Sequence, residues 1–253
     1  MRLLSIDQLF VTIVVSKRQS WETFRTRHAT LFRWLYPAYR AYRQLRALRY
    51  RRLHSRFASF TMIPRRGYVT NLSLCDQFRH LPGSVVECGT WRGGMIAGIA
   101  QLFNDDRNYY LFDSFEGLPA AQDVDTRKQG PSARELQNGS YHNCRAEEDV
   151  ARRAMELSGA RNIHIHKGWF KDTLPTYNGA PIAILRADGD WYESTMDILN
   201  NLYPYVIKGG LIILDDYYYW DGCAKAVHDF LSKNALKDKI YQINGLYAYI
   251  VKQ

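Results

Sequence analysis

Five short apolar runs, each closing on a cluster of polar residues, constrain this chain more than any other feature. They are SVVECG (84–89), NYYLFDSF (108–115), NIHIHKG (162–168), APIAILRAD (180–188) and GGLIILDD (209–216). Apolar runs of this length, bounded by turn-forming residues, read as short strands buried on both faces. Between them lie segments of helical spacing, notably GGMIAGIAQLF (93–103) and YESTMDILNNLYPYV (192–206). Strand, helix, strand at this rhythm dictates βαβ crossovers and a mostly parallel sheet covered on both sides. The rhythm breaks at KIYQINGLYAYIVK (239–252), two apolar runs joined by Asn244 and Gly245. That pair is a type I′ hairpin signal, so the sheet is expected to end with one antiparallel strand.

With 253 residues, 46% of them hydrophobic, the chain can bury one sizeable core but not two. The net charge of +9 is unevenly placed. Residues 1–66 hold fifteen Lys and Arg against Asp7 and Glu22, and the remainder holds nineteen against twenty-three acids. We therefore expect a basic helical N-terminal arm over 1–66 and a mildly acidic main domain over 67–253. WLYPAYRAYRQLRALRYRRLHSRF (34–57) interleaves Arg with Leu and Tyr at helical spacing, with an interruption expected near Pro37. Such an arm suits packing on the body or on a second subunit. It also suits an anionic membrane surface, which would place the protein peripherally at the inner membrane face. Nucleic acid is disfavoured, because no recognition motif accompanies the charge. LFVTIVV (9–15) is too short to span a bilayer and lacks a cleavage site. Cys75, Cys88, Cys144 and Cys223 show neither metal spacing nor scaffold density, which favours reduced thiols and a cytoplasmic setting. The polar, Gly- and Pro-punctuated stretch 117–148 is expected to form a lid or substrate loop.

In open parallel sheets ligands bind beyond the carboxyl ends of the strands. Every polar cluster of the body falls there: ECGTWRGG, DSFEG, KGWF, DGDWYE and DDYYY in succession. Gly89 permits a tight turn, and Gly93 and Gly94 allow close approach at a helix start. Trp91 stands where a dinucleotide fingerprint needs a glycine, which weakens a nicotinamide reading. Asp113 is placed to accept the hydroxyls of a cofactor ribose, or else to organise a turn. Asp188, Asp190, Asp215 and Asp216 are the sharper signal, since several like charges buried together need a cation. Oxygen ligands without His or Cys suit Mg²⁺. Asp188, Asp215 and Asp216 can reach one ion from adjacent strands, leaving Asp190 to face a substrate. The competing role for such acids is capping the helices that follow.

ECGTWRGG, FDSFEGLP, KGWFKDTLP, DGDWYESTMD and LDDY, in this order and spacing, resemble the macrocin-type sugar O-methyltransferases from about Thr61 to the C-terminus. The resemblance implies a Rossmann-like α/β class I fold with a mostly parallel seven-stranded sheet and an antiparallel last strand. It implies dependence on S-adenosylmethionine and Mg²⁺, metal ligation by Asp188, Asp215 and Asp216, and Asp190 as general base. Cofactor contacts are expected from Glu87, Gly89, Asp113 and Asp188, extended along the same rim to Thr90, Trp91, Ser114, Gly168 and Trp169. Tyr192, Tyr217 and His142 are the candidate substrate contacts. The expected reaction is methylation of a hydroxyl, on a sugar of a natural product or glycan, by a homodimer. The alternatives are an NAD-dependent sugar oxidoreductase and a non-catalytic scaffold on the same fold.

Overall fold

The computed structural model describes residues 29–126, 143–177 and 179–253. LFVTIVV and His142 lie outside them. By its contacts the chain divides into residues 1–49 and 50–253. Helix α1 (Ala29–Phe57) contributes to both. It runs through Pro37 without the expected interruption: a proline removes one backbone hydrogen bond, and the twenty residues after it sustain the helix. The larger unit takes in residues 50–66 of the expected arm, because Tyr50, Leu53 and Phe57 are buried in its core.

Seven strands form one sheet in the order β3-β2-β1-β4-β5-β7-β6. They are β1 (Ser84–Cys88), β2 (Asn108–Asp113), β3 (Asn162–Lys167), β4 (Ile182–Ala187), β5 (Val206–Leu214), β6 (Ile240–Ile243) and β7 (Tyr247–Val251). The first five are parallel, and β7 runs antiparallel to both β5 and β6. The hairpin is as expected: Asn244 and Gly245 take φ of 54° and 68°, the two left-handed residues a type I′ turn requires.

One face of the sheet is covered by the end of α1 with α2 (Arg65–Cys75), α3 (Gly94–Phe103) and α4 (Glu148–Ser158). The other is covered by the short α5 (Phe170–Thr173) with α6 (Tyr192–Leu202) and α7 (Asp221–Lys233). Covering on both faces explains why β1 and β4 are buried at every position. All four cysteines are free thiols. Among the described residues no helix is long and apolar enough to cross a membrane.

Candidate active site

The strand register brings the acids together. Cys88 pairs with Phe112 and Ala187, and Ala187 pairs with Leu214. The residues one step further, Gly89, Asp113, Asp188 and Asp215, therefore line up across the rim. Backbone hydrogen bonds hold them there: Gly89 N–H donates to Phe112, Asp188 N–H to Cys88 and Asp215 N–H to Ala187, at 2.8–3.0 Å. A cavity of about 670 Å³ opens beyond this rung, lined by Gly89, Trp91, Asp113, Trp169, the four aspartates and Trp220 among others.

Bonded to two of its lining acids is a residue that the sequence motifs did not single out. Arg186 is 1% exposed, and its Nη1 donates to Glu87 Oε1 at 3.1 Å and to Asp188 Oδ2 at 2.7 Å. Its Nη2 donates to Asp215 Oδ1. The pairing is built into the sheet, since Arg186 and Glu87 are direct cross-strand partners and Asp188 is two residues on, hence on the same face. A signal was present: Arg186 and Glu87 are the only charges inside β1 and β4.

Asp188, Asp215 and Asp216 can each place one carboxylate oxygen within 4.8 Å of the others. Burial foremost pushes Asp215 well above the ordinary carboxylate range, opposed by Arg186 and reinforced by Asp188. Asp216 is likewise pushed well up by burial and then by Asp190, Asp188 and Asp215. Such a set favours a hard cation, so these donors fit Mg²⁺. The capping alternative fails on geometry: α6 and α7 are preceded by Trp191 and Trp220 at their caps, with no side-chain cap bond. Asp190 takes a left-handed φ of 56°. Its N–H donates to Asp216 Oδ2 at 3.0 Å, and Trp220 Nε1 donates to its Oδ1 at 3.0 Å. Burial and the nearby Asp188 push Asp190 up to about 7.

The remaining candidates separate into those facing the cavity and those behind it. Asp113 accepts from Trp91 N–H and Phe115 N–H, both at 2.7 Å, and so shapes the first loop while lining the cavity. Ser114 also lines it, with its hydroxyl bonded to Gly117 O at 2.9 Å. Gly89, at φ 85°, approaches Asp188 so closely that a Cβ there would overlap its carbonyl. Together Gly89, Asp113 and Ser114 give the cavity one wall that could hold a cofactor. Glu87 and Thr90 stand behind the cavity, bonded to each other at 2.8 Å, and burial pushes Glu87 up to about 7 against the pull of Arg186. Gly168 donates its N–H to Asp113 O at 2.9 Å. Tyr192 and Tyr217 are directed elsewhere: Tyr192 OH donates to Asp229 at 2.9 Å, and Tyr217 OH meets His228 at 2.8 Å. The aromatic cluster instead offers Tyr219 and Trp220 to the cavity.

The described ends of the 117–148 stretch are anchored. Asp125 is buried and accepts from Tyr192 N–H at 2.8 Å, Trp191 Nε1 donates to Pro119 O at 2.9 Å, and Asp221 N–H donates to Thr126 O at 2.9 Å.

Residues 12–252 match the family described as macrocin O-methyltransferase (TylF). The chain belongs to that family. It is 38% identical over 176 residues to the demethyldecarbamoylnovobiocin O-methyltransferase of Streptomyces niveus, an alignment covering 66% of each chain. It is 34% identical to the mycinamicin III 3''-O-methyltransferase of Micromonospora griseorubida, over 66% of this chain and 68% of that one. The fold is that of the class I methyltransferases. The solved O-methyltransferase NovP superposes with a TM-score of 0.62 at 32% identity, over 77% of this chain and 82% of that one. The calicheamicin methyltransferase CalS11, at 20% identity and a TM-score of 0.59, shares the fold. Nothing in these relatives supports the oxidoreductase or scaffold alternatives.

Proposed function

We propose that the protein methylates a hydroxyl of a sugar, on a glycosylated small molecule or glycan, using S-adenosylmethionine and Mg²⁺. The observation that carries this is the convergence of four aspartates, from two neighbouring strand ends, on a cavity bordered by the Gly89 loop. Family membership supports the methyl transfer, and the names of the relatives support a natural-product acceptor. The cofactor supplies an electrophilic methyl group, and a divalent ion would supply charge that lowers the pKa of a nearby hydroxyl.

The residues supply placement and a proton acceptor. The Gly89 turn and the Asp113-bound loop border the space the cofactor would take, and Asp188, Asp215 and Asp216 would hold the ion. Asp190 is the general base. Its Oδ1 is held by the Trp220 indole, which leaves Oδ2 to take the hydroxyl proton. Trp191 and Trp220 pack edge to face at 4.8 Å with Leu118 against them, closing this side to water. Tyr219 and Trp220 present faces suited to a sugar ring. A homodimer, and a peripheral position on an anionic membrane through the basic N-terminal segment, complete the proposal.

Calorimetry with S-adenosylhomocysteine, with Mg²⁺ or chelator, tests it. Wild type is expected to bind the nucleoside and to show a separate Mg²⁺ site that Asp215→Asn loses. Asp190→Asn is expected to keep both but to lose roughly 10²–10⁴-fold in methyl transfer. Binding without a Mg²⁺ site would remove the metal from the mechanism, and no nucleoside binding would overturn the reading.

A further inference from the structure

Arg186 carries a charge into a strand buried along its whole length, one residue from the strand's end. Its two terminal nitrogens reach three carboxylates, and its Nε finds no partner. The arrangement matters less for the number of bonds than for which oxygens they use. Asp188 commits Oδ2 to Arg186, Asp215 commits Oδ1 to Arg186, and Asp216 commits Oδ2 to the N–H of Asp190. One oxygen of each acid is tied to a fixed donor, and the other takes no part in these bonds: Asp188 Oδ1, Asp215 Oδ2 and Asp216 Oδ1.

We propose that Arg186 is a positioning residue that presents Asp188 and Asp215 as single-oxygen ligands, and thereby sets the ion preference of the site toward Mg²⁺ and against Ca²⁺. The inference rests on the metal reading above. Three single oxygens would supply half of the six ligands that Mg²⁺ takes, and the rest would fall to water and to acceptor oxygens. Ca²⁺ takes six to eight oxygens and commonly grips carboxylates through both. For Asp188 or Asp215 to grip an ion through both oxygens, the oxygen that accepts from the fully buried guanidinium would have to turn its remaining lone pair to a second cation beside the first, or give up a bond that no water replaces. Lysine cannot substitute, because one ammonium on a single stem does not span two carboxylates in a fixed plane.

The test is competitive calorimetry of Mg²⁺ and Ca²⁺ on the full chain with S-adenosylhomocysteine present, in wild type and Arg186→Lys. Wild type should prefer Mg²⁺, and the variant should narrow that preference by about tenfold or more, the usual scale for residues that orient metal ligands. Because the variant places a strained charge in the core, wild type also receives an independent measurement. With Mn²⁺ in the site, magnetic resonance should count about three exchangeable waters, the complement of three protein oxygens. Equal affinity of wild type for Ca²⁺ and Mg²⁺, or a Mn²⁺ ion with one water or none, would overturn the role of Arg186 while leaving a metal site in place. Absence of any divalent ion from wild type would instead overturn the metal reading, and this inference with it.

Discussion

Replacing Gly89 by alanine probes the joint between fold and site, and its cost can be worked from the backbone. Gly89 has φ of 85°, a conformation that costs an L-residue about 1–2 kcal/mol. The added Cβ would also overlap the carbonyl oxygen of Asp188 and lie 2.9 Å from its carbonyl carbon. Neither group can yield easily, since Gly89 N–H is bonded to Phe112 and Asp188 N–H to Cys88. Backbone displacement of this kind costs about 1–3 kcal/mol, so the total is roughly 2–5 kcal/mol. Gly159 is the matched control: its φ is 81°, and a Cβ there meets nothing within 4 Å. Gly159→Ala should therefore lose about 1–2 kcal/mol in urea denaturation, while Gly89→Ala loses more. Because the shift moves Asp188, only Gly89→Ala should also weaken S-adenosylhomocysteine in calorimetry, by about tenfold, or ~1.4 kcal/mol. Equal stability losses in the two variants, with unaltered cofactor affinity in both, would refute the reasoning.

His166 stacks on Phe112 at 4.4 Å, and burial followed by the neighbouring His164 lowers its pKa. The unfolded chain then binds the proton more tightly, so stability is present above about pH 6.5 and declines as pH falls below it. Urea midpoints at pH 7.5 and 5.0 should differ less in His166→Phe than in wild type, and an unchanged pH difference would exclude this histidine. Deleting residues 1–49 removes ten Lys and Arg against two acids and should weaken flotation with anionic vesicles while sparing cofactor affinity. Deleting residues 1–57 also removes Tyr50, Leu53 and Phe57 from the core, and should cost stability by at least ~3 kcal/mol beyond the shorter deletion. Equal vesicle binding by full chain and 1–49 deletion would sink the membrane role.

Sequence pattern revealed what depends on local chemistry and hid what depends on direction. The strands were legible because burial on both faces leaves continuous apolar runs, and the hairpin because only Asn and Gly suit two successive left-handed residues. Tyr50, Leu53 and Phe57 repeat at helical spacing, but the arginines between them made the whole stretch read as arm. Tyr192 and Tyr217 lie next to site residues in sequence yet turn toward Asp229 and His228. Side-chain direction around Asp190 follows from its left-handed backbone, which no periodicity encodes. Of the same aromatic run, Tyr219 and Trp220 line the cavity.

The same distinction explains why two apolar strands each deliver a pair of acids. Register alone sets Asp188 beside Asp215, and the next turn of each loop adds Asp190 and Asp216, which bond to one another through the N–H of Asp190. Left to itself this cluster would repel, and a buried lysine could have relieved it. The chain uses a guanidinium fixed in β4, one step below the rim, whose flat fork binds one oxygen of each of two acids. A charge that burial makes costly thereby becomes the part of the strand that gives the rim its geometry, which is why Arg186 cannot be replaced by an apolar residue without changing the acids above it.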